Sequence, residues 1–257
     1  MIGMLLWKPP GKREKAVQVR ERSILHTRFF CAEITRGPKT PEVALRRRVA
    51  SAVKRLRRQN ITQVVLPEDF PYLDQLTKGG LRPVSTLPLR RAIAADWVRW
   101  SLLERGIPTA GARVAVCAAS LTGEVVRTVT ELALRHRYLI LKVPFGGEEL
   151  CRRLRREYGV SIVLNPETER EPVSVHIAFD PTEAQGGGFL PLYDESLPMP
   201  RLLLPPEVEA RLPEGLDRGQ LLSVLWRTGA LRPGQVSVQL EETENKGAVP
   251  EIRAFCP

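Results

Sequence analysis

The sequence predicts an α/β fold, a mostly parallel sheet with helices on both faces, preceded by a smaller basic α/β region. Three observations support this. Between residues 113 and 164, short continuous apolar runs alternate with stretches of helical length, the pattern of βαβ units whose right-handed crossovers cover both faces of a parallel sheet. The composition, 43% hydrophobic and 26% charged over 257 residues, is that of a globular chain able to bury a sizeable core rather than of a disordered one. The charge is also lopsided: of a net +10, residues 1–110 carry +13 and residues 111–257 carry −3.

Taken in order, Met1 to Trp7 is expected to be a strand, stopped by Lys8-Pro9-Pro10. Ala16–Val19 and Leu25–Phe30 are extended pieces with β-branched and aromatic content. Thr40 as N-cap, Pro41 at the first helical position and Glu42 in the first turn start a helix that runs to Arg58. At 100° per residue its Leu45, Val49, Ala52, Val53 and Leu56 form one apolar arc. Arg46, Arg47, Arg48, Lys54, Arg55, Arg57 and Arg58 take the rest. A strand at Ile61–Leu66, a short helix ending at Gly79-Gly80 and a strand at Leu81–Thr86 follow. One long helix is expected from Pro88 to Arg105, stopped by Gly106, with Trp97 and Trp100 as core anchors.

The βαβαβ section comes next: strand Arg113–Ala118, a helix from Gly123 to about Arg137, strand Tyr138–Val143, helix Gly147–Tyr158 and strand Val160–Leu164. Val173–Phe179 extends the sheet. Beyond Asp180, Gly186-Gly187-Gly188 and many prolines mark loops, before a helix at Arg218–Thr228, a strand at Val236–Leu240 and a solvated tail at Glu241–Glu244. The chain thus divides into a basic N-terminal region (1–87), a βαβαβ core (88–180) and a loop-rich extension (181–257).

The run Leu102-Leu103-Glu104-Arg105-Gly106-Ile107, a short spacer, then Ala112-Arg113-Val114-Ala115-Val116 and a turn into a helix resembles the entry to the Rossmann cofactor domain of two-domain dehydrogenases, the shikimate and methylenetetrahydrofolate dehydrogenase families. The resemblance is one of layout and covers residues 88–165. It implies a Rossmann-like sheet with a nucleotide or another phosphate-bearing small molecule at the first βα turn. In this chain that turn is Cys117-Ala118-Ala119-Ser120-Leu121-Thr122-Gly123, with one glycine where the dinucleotide fingerprint has three. Ala118, Ser120, Thr122 and Gly123 are the candidate ligand residues, the hydroxyls donating to an anion at the helix start. Ser120 or Thr122 serve equally as caps of a structural helix, and the sequence leaves both roles open.

Where the second strand of such a domain carries an acidic residue for the adenosine ribose, this chain has Lys142. Lysine does not accept from ribose hydroxyls but can pair with a 2′-phosphate, which argues against NAD and leaves NADP open. Glu148 and Glu149 after Gly146-Gly147 complement the next helix start themselves and would repel a phosphate. Asp180 lies at the carboxyl end of its strand if that strand is parallel to its neighbours, and at the opposite edge if it is not.

No catalytic signature appears. Ser161, Ser196 and Ser223 lack a nucleophile elbow, and His26, His136 and His176 are scattered, so no metal site is expected. Cys31, Cys117, Cys151 and Cys256 form no C-x-x-C pair, and there is neither a secretory h-region nor a membrane-length apolar run, so the expectation is a cytoplasmic protein with reduced thiols. The second class of function is non-enzymatic: the cationic face of helix 41–58 docking onto nucleic acid or an acidic partner by charge, with no base-reading motif.

Overall fold

The computed structural model describes residues 1–11, 15–167, 172–181, 188–232 and 234–239. Gly186, Gly187, Leu240, the Glu241–Glu244 segment and Cys256 lie outside them.

The first unit comprises β1 (Ile2–Lys8), β2 (Val17–Ile24), β3 (Thr27–Thr35), α1 (Glu42–Arg58), β4 (Gln63–Val65), α2 (Leu73–Lys78) and β5 (Arg82–Pro83). Its five-stranded sheet has the order β2-β3-β1-β4-β5 and is parallel except for the β2–β3 hairpin. The hairpin turns at Leu25 and His26, both with positive φ (46° and 66°), the geometry a two-residue loop needs to follow the strand twist. That turn is why the extended piece expected at Leu25–Phe30 begins only at Thr27. In α1 the buried residues are the five of the expected apolar arc. They cover Leu5, Val17, Ala32, Ile34 and Val64 of the sheet, closing one core. The helix starts one residue later than its N-cap signal implied. Pro41 is the cap residue and has no side-chain cap bond, because the Thr40 hydroxyl instead accepts from Gly37 N (2.9 Å) in the preceding turn.

The expected helix over 88–105 is two: α3 (Leu87–Ala92) and α4 (Ala94–Glu104), joined at Ile93 (φ −95°, ψ 10°). The ladder continues across the joint, Ile93 N donating to Leu89 O (3.1 Å) and Trp97 N to Ile93 O (2.8 Å), so the segment is bent rather than ended. Trp97 is buried and Trp100 packs partly buried against the same core. Gly106, at φ 62°, closes α4.

The second sheet is built from β6 (Arg113–Cys117), α5 (Gly123–Ala133), β7 (Tyr138–Lys142), α6 (Gly147–Tyr158), β8 (Ile162–Leu164), β9 (Val175–Ala178) and β10 (Phe189–Pro191). Its order is β10-β9-β6-β7-β8, every pair parallel. The chain walks outward from β6 to β8, then returns to the other side of β6 for β9 and β10. This is the Rossmann-like arrangement, with its switch point between β6 and β9.

The remaining elements are β11 (Leu202–Leu203), α7 (Pro206–Glu209), α8 (Arg218–Arg227) and β12 (Ser237–Val238), with β11 and β12 forming an antiparallel pair. Helix α8 returns to the first unit. Asp217 N donates to Leu66 O (2.8 Å), Leu66 N to Gln220 Oε1 (3.0 Å), and the Ser223 hydroxyl to Ser85 O (2.7 Å). A single core therefore runs from Met4 and Phe29 of the first sheet through Leu89, Val98 and Leu222 to Val114 and Ile177 of the second. No helix of the described residues is long and apolar enough to cross a membrane.

Candidate ligand site at the carboxyl edge of the second sheet

β6 and β9 are parallel neighbours whose crossovers lead to opposite sides of the sheet, the topology at whose strand ends open α/β sheets bind ligands. Two bonds carry the sheet to its last residues there: Phe179 N to Cys117 O (2.9 Å) and Ala118 N to Lys142 O (3.0 Å). Ala118 is buried; Ala119, Ser120, Thr122 and Gly123 are exposed. Thr122 is the N-cap of α5, its hydroxyl accepting from Val125 N (3.3 Å). It has the capping role, which satisfies one of the first-turn amides that a helix leaves without intrahelical partners. The Ser120 hydroxyl has no partner among the described residues. A Cβ built on Gly123 would meet nothing within 4 Å, so no neighbour demands glycine there and the helix start stands clear for an incoming group.

Since β9 is parallel, Asp180 lies at the carboxyl edge. Its Oδ2 accepts from Ala119 N (2.8 Å). The carboxylate thus straps the turn to the neighbouring strand and takes up one of the turn's amides. Lys142 ends the adjacent strand, in register with Cys117, and is half-buried. The structure therefore brings Ala118, Ser120, Thr122, Gly123 and Asp180 together, with Lys142 one strand away.

One residue of this neighbourhood has no signal in the spacing of the sequence. Arg91, from α3, donates through Nη2 to Phe179 O (3.3 Å) and pairs through Nη1 with Glu124 Oε2 (3.3 Å) in the first turn of α5. Its carbonyl accepts from Arg127 Nη2 (3.3 Å). Only the doublet Arg90-Arg91 was visible in the sequence; the tertiary partners that bring a cation to the strand ends were not.

The next loop is built for packing. A Cβ on Gly147 would come within 2.4 Å of Leu164 Cδ1, so this glycine lets α6 approach β8. Glu149 pairs with Arg152 (2.5 Å). Asn165 reaches back from the end of β8, its Oδ1 accepting from Val143 N (2.9 Å) and its Nδ2 donating to Val143 O (2.7 Å).

On α1 the seven cations separate into two sets. Arg46 pairs with Glu42 (3.1 Å). Arg48 donates to Thr35 O, Arg55 to Val17 O (2.8 Å) and Arg57 to Ile61 O (3.1 Å). Arg47, Lys54 and Arg58 are exposed and without an ion pair among the described residues. Their spacing of seven and four places them within about 40° of one another on the helix.

Other reactive side chains are sequestered. Burial pushes the Cys31 thiol up to about 11, so it is not a nucleophile at neutral pH. His136 and His176 are buried, and among the described residues no three His, Cys, Asp or Glu side chains converge as a metal site.

No protein-family model matches the chain, and no curated protein matches it in sequence. Among solved structures it is similar to an L-tryptophan dehydrogenase from Nostoc punctiforme, at 16% identity over 58% of this chain and 44% of that one, with a TM-score of 0.27. A shikimate 5-dehydrogenase-like protein matches at 10% identity over 58% of this chain and 55% of the other, with a TM-score of 0.23. The match spans about half the length of each of these proteins. At such scores the fold assignment rests on the chain's own strand order.

Proposed function

We propose that the chain binds a nucleotide or another phosphate-bearing small molecule at the β6–α5 turn. The observation that supports this is the exposed turn at the switch point, where Ser120, Thr122 and Gly123 open an eleven-residue helix beside the Arg91 guanidinium. A helix start attracts anions through its unpaired amides and its dipole. Arg91 offsets Glu124 at the helix start, where two of the fingerprint glycines that let the backbone approach a phosphate are missing. Asp180 is occupied by Ala119 N and serves to hold the turn. Lys142 at the end of β7 favours NADP over NAD, because a lysine there pairs with a 2′-phosphate and cannot accept from the ribose hydroxyls as an acidic residue does. The protein so proposed is cytoplasmic.

Calorimetric titration with NADP, NAD and ATP tests the proposal. Binding of NADP that weakens on Arg91→Glu and Lys142→Glu is expected. Absence of heat with all three at about 10 mM, weaker than any useful affinity, sinks it.

A second reading rests on a separate observation, the aligned and unspent Arg47, Lys54 and Arg58. These three dock onto nucleic acid or an acidic protein through charge alone. Triple replacement by glutamate should then abolish retention on heparin, and retention of the unmutated chain should fall steeply with salt. Equal retention of both proteins removes this reading.

A further inference from the structure

A cleft of about 930 Å³ opens beside α3 and the start of α8, lined among others by Arg90, Glu195, Met199, Arg201, Leu204 and Arg218. It shares no lining residue with the β6–α5 turn. Arg90 is the one arginine buried among the described residues, 2% exposed. Its Nε donates to the Thr86 hydroxyl (3.0 Å), and its Nη2 donates to the carbonyls of Glu195 (3.2 Å) and Leu197. Nη1 is buried without a partner. Burial presses the guanidinium below its ordinary pKa, with Glu195 and Asp194 pulling the other way. A desolvated cation with an unused donor costs free energy that an acceptor in the cleft recovers.

The carboxylates lining the cleft are each already engaged. Glu195 Oε1 takes the hydroxyls of Ser85 and Thr86 (3.0 Å each) and the amides of Thr86 and Leu87. Glu209 is held in a two-point pair with Arg218. Asp217 accepts from Gln220 N (2.9 Å) and Nε2 (3.0 Å). The donors left over are Arg90 Nη1 and the exposed Arg201, which has no side-chain partner among the described residues.

We propose that this cleft binds a small organic acid, its carboxylate received by Arg90 and Arg201 and its apolar body resting on Met199 and Leu204. A carboxylate fits better than a phosphate dianion because Glu195, Glu209 and Asp217 surround the same space and repel the second charge. Nη1 is out of solvent's reach and Nη2 holds the Glu195 and Leu197 carbonyls, so the guanidinium receives the acid as the Glu195–Leu197 backbone yields, a charged acceptor then standing beside it in place of neutral ones.

The test uses the full chain and three matched probes, benzoate, phenyl phosphate and benzamide, in calorimetric titration and thermal shift. Benzoate is expected to bind saturably, on the order of tenfold tighter than either other probe. Arg90→Gln should abolish that binding. If Arg90→Gln does not fold, Arg201→Glu and the cleft-filling Met199→Trp carry the test, each weakening benzoate by roughly fivefold or more. Arg91→Glu should leave it unchanged, which keeps this site separate from the one on β6–α5. Benzamide binding as tightly as benzoate, phenyl phosphate binding more tightly, no saturable binding, or indifference to both Arg201→Glu and Met199→Trp would each overturn the proposal.

Discussion

Helix α1 carries seven cations in seventeen residues, yet four of them are held by Glu42 or by backbone carbonyls of the first sheet, and three remain for a partner. The β6–α5 turn carries no net cation of its own, yet it lies exposed at a strand end with Arg91 delivered to it from another element. Formal charge thus overstates what is available in both regions: four of the seven α1 cations and Arg91 at the turn are already engaged by the fold. Net charge locates long-range attraction; hydrogen-bond partners decide how much of that charge is free to meet something else. Helix α3 joins the extension to the second sheet, Arg90 bonding to the Glu195 and Leu197 carbonyls and Arg91 to Phe179 O and Glu124.

The largest expected effect comes from the bonds of α3 to the extension. Arg90→Met takes away the donors to Thr86, Glu195 and Leu197 and leaves Glu195 without the charge beside it. The loss should be about 3 kcal/mol in urea unfolding, the range for breaking a buried charged network. A variant within about 0.5 kcal/mol of the parent would mean that α3 holds the extension by apolar packing alone.

The next effect is steric and lies within the basic region. A Cβ on Gly79 would stand 2.1 Å from Val53 Cγ1, so Gly79→Ala forces α2 away from α1 and should cost about 2 kcal/mol by overpacking. Heparin retention should be unaffected if Arg47, Lys54 and Arg58 act as a stripe on a single helix, and should fall if the α1–α2 groove is the binding surface.

How far the two regions were legible follows the same division. The apolar arc of α1 and the span of α6, Gly147 to Tyr158, are written in local periodicity and capping, and the structure has them as expected. The parallel order of the second sheet follows from continuous apolar strands with helical crossovers. What the sequence lacked was tertiary. The bend at Ile93 has neither proline nor glycine to announce it. The helix after Gly123 stops at Ala133 rather than near Arg137, since charged residues past its end satisfy helical propensity as well as a loop does. Of the candidate site, Ser120, Thr122, Gly123 and Asp180 were found because a strand–turn–helix and a strand end are local features. Arg91 was missed because its role depends on Phe179 and Glu124, 88 and 33 residues away.

A smaller effect separates held charge from free charge within α1 itself. Arg55→Ala deprives Val17 O of its donor and should cost about 1 kcal/mol, the worth of one charged hydrogen bond at a partly buried site. Arg47→Ala removes an exposed charge with no ion pair and should stay within about 0.5 kcal/mol. The order should reverse on heparin, where Arg47→Ala elutes earlier and Arg55→Ala scarcely moves. Equal losses of stability would show that the two arginines are spent alike.

The subtlest difference is one of pH slope. His136 is buried at the end of α5. Burial is the largest influence on it and lowers its pKa from the usual 6.5, against a bond to the Thr109 backbone that raises it and with Arg135 lowering it further. The unfolded chain therefore binds a proton that the folded chain refuses. Stability from this residue is complete above the unfolded value of 6.5 and declines as pH falls below it, since the unfolded state then binds more protons. His136 lies in the second sheet's region, so acid should loosen that region first. Moving from about pH 7.5 to about pH 5.5 should lower the urea midpoint of the parent, and His136→Gln should flatten that drop. Hydrogen exchange should rise in β6 and α5 before it rises in β1 and β3. Parallel pH profiles for parent and variant, or exchange rising first in the basic region, would place the acid sensitivity in carboxylates common to both halves.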